Sequence, residues 1–268
     1  MNTLYWSIRR ELWENRSIYL APLVVGAIVL MGHFLSFARA AERQPTGDSH
    51  YVVVAIVLMG VQLVVAVFYC LDALYGERRD RSVLFWKSMP VSDQTAVLAK
   101  AMIPILVLPL VTWMTTVVAE DIMLAMSGAV MPGAPANLSF ASISRTHFGH
   151  LVLFHGLWYA PLYAWLLLVS AWATRVPFLW AVLPPVAIGV VERIAFNTGI
   201  VGRLMQWLFL GAASESMSMK GASTPMTMET MMPQTIGDLF GPSLWIRIAI
   251  AAVLLFGAVR LRRSRGVI

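Results

Sequence analysis

The chain has 268 residues, of which 59% are hydrophobic and only 13% charged. A water-soluble domain carries roughly 25% charged residues, so a surface that faces water throughout is excluded. The net charge of +6 is gathered at the ends of long apolar blocks, which fits a membrane surface and not a nucleic-acid partner.

Residues 2–17 form a polar, tryptophan-bearing stretch in which Leu4, Ile8 and Leu12 recur at i+4 spacing and Arg10 can pair with Glu14; they predict a helix lying in the membrane interface. Trp6, Arg9, Arg10, Glu11 and Trp13 occupy the place of the apolar core of a cleavable signal peptide, so the first apolar block is expected to stay in the protein. Blocks of about 17–25 apolar residues are long enough to cross a bilayer as helices. Six are read here, at residues 18–37, 51–75, 101–119, 150–173, 176–192 and 243–260. The expected fold is therefore all-α, with one transmembrane domain spanning residues 1–268. Prolines at 104, 109, 161, 177, 184 and 185 predict broken or kinked helices in the third, fourth and fifth spans. Between the fifth and sixth spans, the apolar run Leu204–Ala213 is too short to cross and predicts a re-entrant or interfacial helix. The lone Cys70 rules out an intrachain disulfide and a cysteine-built metal site.

With the N-terminus inside, thirteen of the twenty Lys and Arg residues fall on the cytoplasmic side, the basic C-terminus among them. The positive-inside rule then places both termini in the cytoplasm. Span centres read as almost free of ionisable groups, with Asp72, Glu192, Arg193 and Arg247 all near span ends, which argues against coupling to protons or ions through intramembrane carboxylates. No G-x-x-x-x-G-K-[ST] loop is present to cradle a nucleotide, so an energy source would lie on another chain.

The handle for such a partner is the cytoplasmic segment 76–100. Glu77, Arg78, Arg79, Asp80 and Arg81 open it; on a helical projection Phe85, Trp86 and Met89 share one arc while Glu77, Asp80, Arg81 and Lys87 lie opposite, which predicts a short charged rod lying parallel to the membrane. Pro90 stops that short amphipathic helix, and Ser92 is placed to cap the next one. Glu77 with Arg78 and Arg79, the apolar Val83–Trp86, the Pro90-Val91-Ser92 turn and Lys100 resemble the corresponding loop of type-2 ABC exporter permeases. Arg81 and Ser82 depart from the Gly-Thr that many members carry there.

The resemblance implies an inner-membrane permease subunit that pairs with a second, identical or related permease. A pair of ABC ATPase subunits, which alone would bind ATP and Mg, would dock on the short coupling helix. The chain itself would hold no cofactor or metal and would have no enzymatic activity. Competing readings are an ion- or proton-coupled carrier, an intramembrane enzyme, and a copper-handling permease. The last would use Met217, Met219, Met226, Met228, Met231 and Met232, since thioethers are soft ligands, although methionine also serves as adaptable apolar filler. His147, His150 and His155 lack a nearby carboxylate to complete a metal site, and Trp113, Trp158, Trp165, Trp172 and Trp180 fit either a cavity lining or an interfacial belt.

Overall fold

The computed structural model describes residues 3–39, 49–82, 92–130, 155–205 and 241–264. Among them every regular element is helical. The chain opens with α1 (Thr3–Glu14), α2 (Ser17–Arg39), α3 (Ser49–Ala73) and the short α4 (Tyr75–Arg79). Next, α5 (Asp93–Met102) passes through a π-helical segment, Ile103–Val107, into α6 (Leu108–Val130). After α7 (Ala160–Trp172) come α8 (Pro177–Phe196), the short α9 (Ile200–Met205) and α10 (Pro242–Ser264).

Five helical stretches are long and apolar enough to cross a membrane: Ser17–Ser36, Val54–Arg79, Asp93–Met126, Pro177–Phe196 and Pro242–Ser264. Their outer faces bear large apolar side chains such as Leu23, Phe68, Leu183 and Val253, which only a nonaqueous surrounding tolerates in such number. The protein thus has the build of a membrane-embedded helical bundle. Where the sequence predicts a span at 150–173, the described helix is the thirteen-residue α7, preceded by a π turn at 155–158.

The centre of the bundle is α3, which packs on α2 and α6 on one side and on α7 on the other, while α10 lies along α7. Ala66, Cys70, Tyr163, Leu167 and Ala258 meet in the principal core. By contrast, among the described elements α8 packs chiefly on α7, α3 and α9, and most of its surface is exposed. It runs as one helix through Pro184 and Pro185, so the fifth span is not broken at those prolines.

The break expected in the third span is present, with an identifiable cause. Pro109 has no N–H to give the Ile105 carbonyl four residues earlier. The chain rewinds one residue wider at Ile103–Val107, and Leu108 N–H donates to the Ile103 carbonyl five residues back. Gly156, within the π turn at 155–158, packs directly on the Ile105 carbonyl, and a Cβ there would collide with that oxygen. Two irregular turns therefore nest together through a glycine. We expect Gly156→Ala to destabilise the bundle by about 1–3 kcal/mol, the usual cost of overpacking, seen as a lowered melting temperature in detergent; an unchanged melting temperature would show that the two turns do not bear on each other.

Candidate functional site: an ionic hub at one end of the bundle

Ser92, in extended conformation, accepts a hydrogen bond from Thr95 N–H at 3.1 Å, so α5 begins where the sequence places it. Two turns later Lys100 is buried, and its Nζ lies 2.8 Å from Glu11 Oε1 and 3.2 Å from Glu77 Oε1. Arg10 reaches the same two carboxylates at 2.9 and 3.3 Å, and also Glu14 at 3.3 Å, the pair expected from i+4 spacing. From the last turn of α10, Arg262 completes the group, 2.9 Å from Glu77 Oε2 and 3.1 Å from Asp93 Oδ1. Tyr69, on α3, donates its hydroxyl to Glu11 Oε2 at 2.9 Å. Five segments distant in sequence are thereby tied at one end of the bundle. A narrow cleft with room for about one water molecule opens beside it between Ser7, Ala96 and Arg262.

Three cations, Arg10, Lys100 and Arg262, meet Glu11, Glu77 and Asp93, and the half-exposed Glu14 adds a fourth carboxylate on Arg10, so the hub carries no excess of positive charge. Burial alone would raise the Glu11 carboxyl, but attraction and a hydrogen bond from Lys100, with Arg10 and the Tyr69 hydroxyl, hold it below its ordinary value. Burial dominates at Glu14 and raises it.

A second set of contacts fixes α4 from the opposite side. Ser170 of α7 accepts hydrogen bonds from the Leu74 and Tyr75 N–H groups at 3.1 and 2.9 Å and donates to the Leu71 carbonyl at 2.8 Å. Arg78 donates to the Ser170 and Ala173 carbonyls at 2.8 and 2.6 Å, placing its charge at the C-terminal end of α7, where the helix dipole favours a cation.

The residues singled out in the sequence as a coupling site therefore divide. Glu77 and Arg78 point inward as anchors, whereas Arg79, Asp80 and Arg81 are exposed. Arg79 pairs with Asp80 at 3.1 Å. The helix ends at Arg79, and Arg81 has φ 58°, a left-handed turn, so an unbroken charged rod from Glu77 onward is not formed. Phe85, Trp86, Lys87 and Pro90 lie outside the described residues, as do the six methionines, His147, His150 and most of Leu204–Ala213.

His155 is buried in the π turn. Trp158, Trp165 and the Trp172–Trp180 pair serve packing: Trp165 Nε1 donates to the Ala181 carbonyl, and Trp172 meets Trp180 edge-on. Among the described residues no group of three His, Cys, Asp or Glu is placed to hold a metal.

Two buried ionisable groups lie toward the ends of long helices. The third long helix runs well past residue 119, and Glu120 within it is fully buried. So is Arg247 of α10, whose guanidinium lies 4.4 Å from the centre of the Trp158 ring. Neither a protein-family model nor a curated protein nor a solved structure matches the chain.

We expect Lys100→Met to cost about 3–5 kcal/mol, because it removes the buried cation that Glu11 and Glu77 share and leaves their burial less compensated. Adding Glu11→Gln should recover part of that loss in a double-mutant cycle of detergent melting temperatures. The depressed Glu11 carboxyl also sets a pH dependence: its contribution is complete above its ordinary value of 4.5 and is lost as pH falls below that, through the folded-state value. A Glu11→Gln protein should accordingly show a flatter acid limb than wild type.

Proposed function

We propose that the chain is the transmembrane permease subunit of an ATP-driven exporter of the ABC type and forms half of a translocation pathway. In this reading it crosses the inner membrane six times, with residues 150–173 as the fourth span and both termini in the cytoplasm. It pairs with a second permease and carries no nucleotide itself; ATP and Mg belong to a separate ATPase pair.

The observation that carries the reading is the double clamping of α4. A load applied to the exposed Arg79–Arg81 turn would pass through Glu77 to α1, α5 and α10, and through Arg78 to α7. An exposed charged turn bonded to most of the bundle suits a part that receives mechanical work. The resemblance of the 76–100 segment to type-2 exporter permeases supplies the identity of the partner. Cytoplasmic placement agrees with the collection of Arg10, Lys100 and Arg262 at a single end.

A second reading, an ion- or proton-coupled carrier, is favoured by buried polar groups on the third long helix. Thr112, Thr116 and Glu120 follow at four-residue intervals, all fully buried, and intramembrane carboxylates commonly mark ion or proton pathways. The two readings separate on one experiment. When the chain is co-expressed with a candidate ABC ATPase subunit from the same genome, the wild type should retain that ATPase through purification. The variant carrying Arg79→Glu and Arg81→Glu should lose it while reaching the membrane in the same amount. Retention of the ATPase by the variant would reject the docking role. No ATPase association in the wild type, together with transport abolished by a protonophore and by Glu120→Gln, would establish the carrier.

A further inference from the structure

Helix α1 has two unlike faces. Its inner face delivers Arg10 and Glu11 to the hub. Its outer face is an arc of Tyr5, Trp6, Arg9 and Trp13, all exposed, and Arg16 follows, exposed, in the turn to α2. Arg9 is held over both indoles, 5.2 Å from the centre of the Trp6 ring and 4.7 Å from that of Trp13. A guanidinium so placed keeps its charge on display, because an aromatic face attracts a cation without neutralising it. No acidic side chain shares the arc; Glu14, the exposed carboxylate of α1, is paired with Arg10 on another side.

Membrane depth is set by what adjoins the helix. The apolar α2 starts at Ser17, two residues after Asn15 ends the hydrogen-bonded run of α1. The outer arc is therefore held at the water–lipid boundary, where tryptophan and tyrosine rings settle at headgroup level. At that level the abundant anionic group is the phosphodiester. A guanidinium binds it through paired charge-assisted hydrogen bonds, while the flanking indoles cover the glycerol and upper acyl carbons.

We propose that Arg9, framed by Trp6 and Trp13 and supported by Arg16, is a binding site for the headgroup phosphate of an anionic phospholipid in the leaflet at the hub end of the bundle. The site needs only the membrane embedding of the chain and is independent of the ATPase assignment, so the two stand or fall separately.

Native mass spectrometry of the full chain, released from micelles containing equal amounts of phosphatidylglycerol and phosphatidylcholine, tests it. Wild type should retain phosphatidylglycerol in preference to phosphatidylcholine. Arg9→Gln should lower that retention about tenfold, the worth of one charge-assisted hydrogen bond. Arg9 is exposed, so the variant should keep the wild-type melting temperature. Arg260→Gln, which removes another exposed arginine beside an aromatic ring, should retain lipid as wild type does. Equal retention of both lipids, equal loss in the Arg260→Gln control, or undiminished phosphatidylglycerol on Arg9→Gln would overturn the site.

Discussion

Gathering charges of both signs into one place, with Glu11, Glu77, Lys100 and Arg262 almost fully buried there, is the constraint on which the rest of this structure depends. A buried charge without a counter-charge costs several kcal/mol even after relaxation, so none of these four can be withdrawn without loss. Glu77 is the pivot, since both of its oxygens are engaged, one by Lys100 and Arg10 and the other by Arg262. To satisfy it, the N-terminal helix, the foot of the third long helix and the end of the last helix must all arrive at α4. The hub thereby fixes which ends of the helices share one side of the bundle before any question of what lies on that side. It also makes those ends move as one body, because sliding any one of them strands charge on the others.

On the other side of α4, Ser170 and Arg78 extend that rigidity into the core. The bundle is thus stiffest where three long helices and the α4 turn converge. Elsewhere it is looser. Helix α8 is attached mainly through the Trp172–Trp180 contact, the Trp165 hydrogen bond to Ala181 and a short interface with α7. It is entered through Val176, which adopts φ 43° immediately before a proline, a conformation that a β-branched residue resists. A protein that changes shape between two states needs both kinds of part, one to transmit a displacement and one to yield to it.

Much of this arrangement was legible in the sequence. The apolar blocks, the Ser92 cap, the Arg10–Glu14 pair and the proline-induced break in the third span all follow from rules acting within a few residues. The hub was not legible, because its partners lie as far apart as residues 11 and 100 or 93 and 262. In the sequence Lys100 and Glu77 belong to a loop pattern, and Arg262 is one of several basic residues at a span end. Glu11 does carry a local signal. On a helical projection it falls beside Leu4 and Ile8 on the apolar arc of α1, where a carboxylate has no reason to lie unless a cation awaits it. The inward turn of Arg78 has no local signature, since its acceptors are main-chain carbonyls of a helix more than ninety residues away.

Away from the hub, association between helices rests on a different force. Within lipid there is no hydrophobic drive to bring apolar helices together, so close packing and interhelical polar contacts must do so. Val54 and Leu58 of α3 pack with Ala119 and Met123 of α6, and Gln62 continues that face of α3 at the same four-residue spacing. It is fully buried, as are Thr112, Thr116 and Glu120. Opposite the second helix, Gly26 brings the α2 backbone so near Thr115 that a Cβ there would crowd its methyl group. Small residues and mostly neutral polar groups lose little when they exchange one partner for another, whereas the buried hub charges lose heavily. A bundle clamped by charge at one end and joined by exchangeable contacts along its length can pivot about the clamped end. That asymmetry is what a displacement arriving through α4 would require.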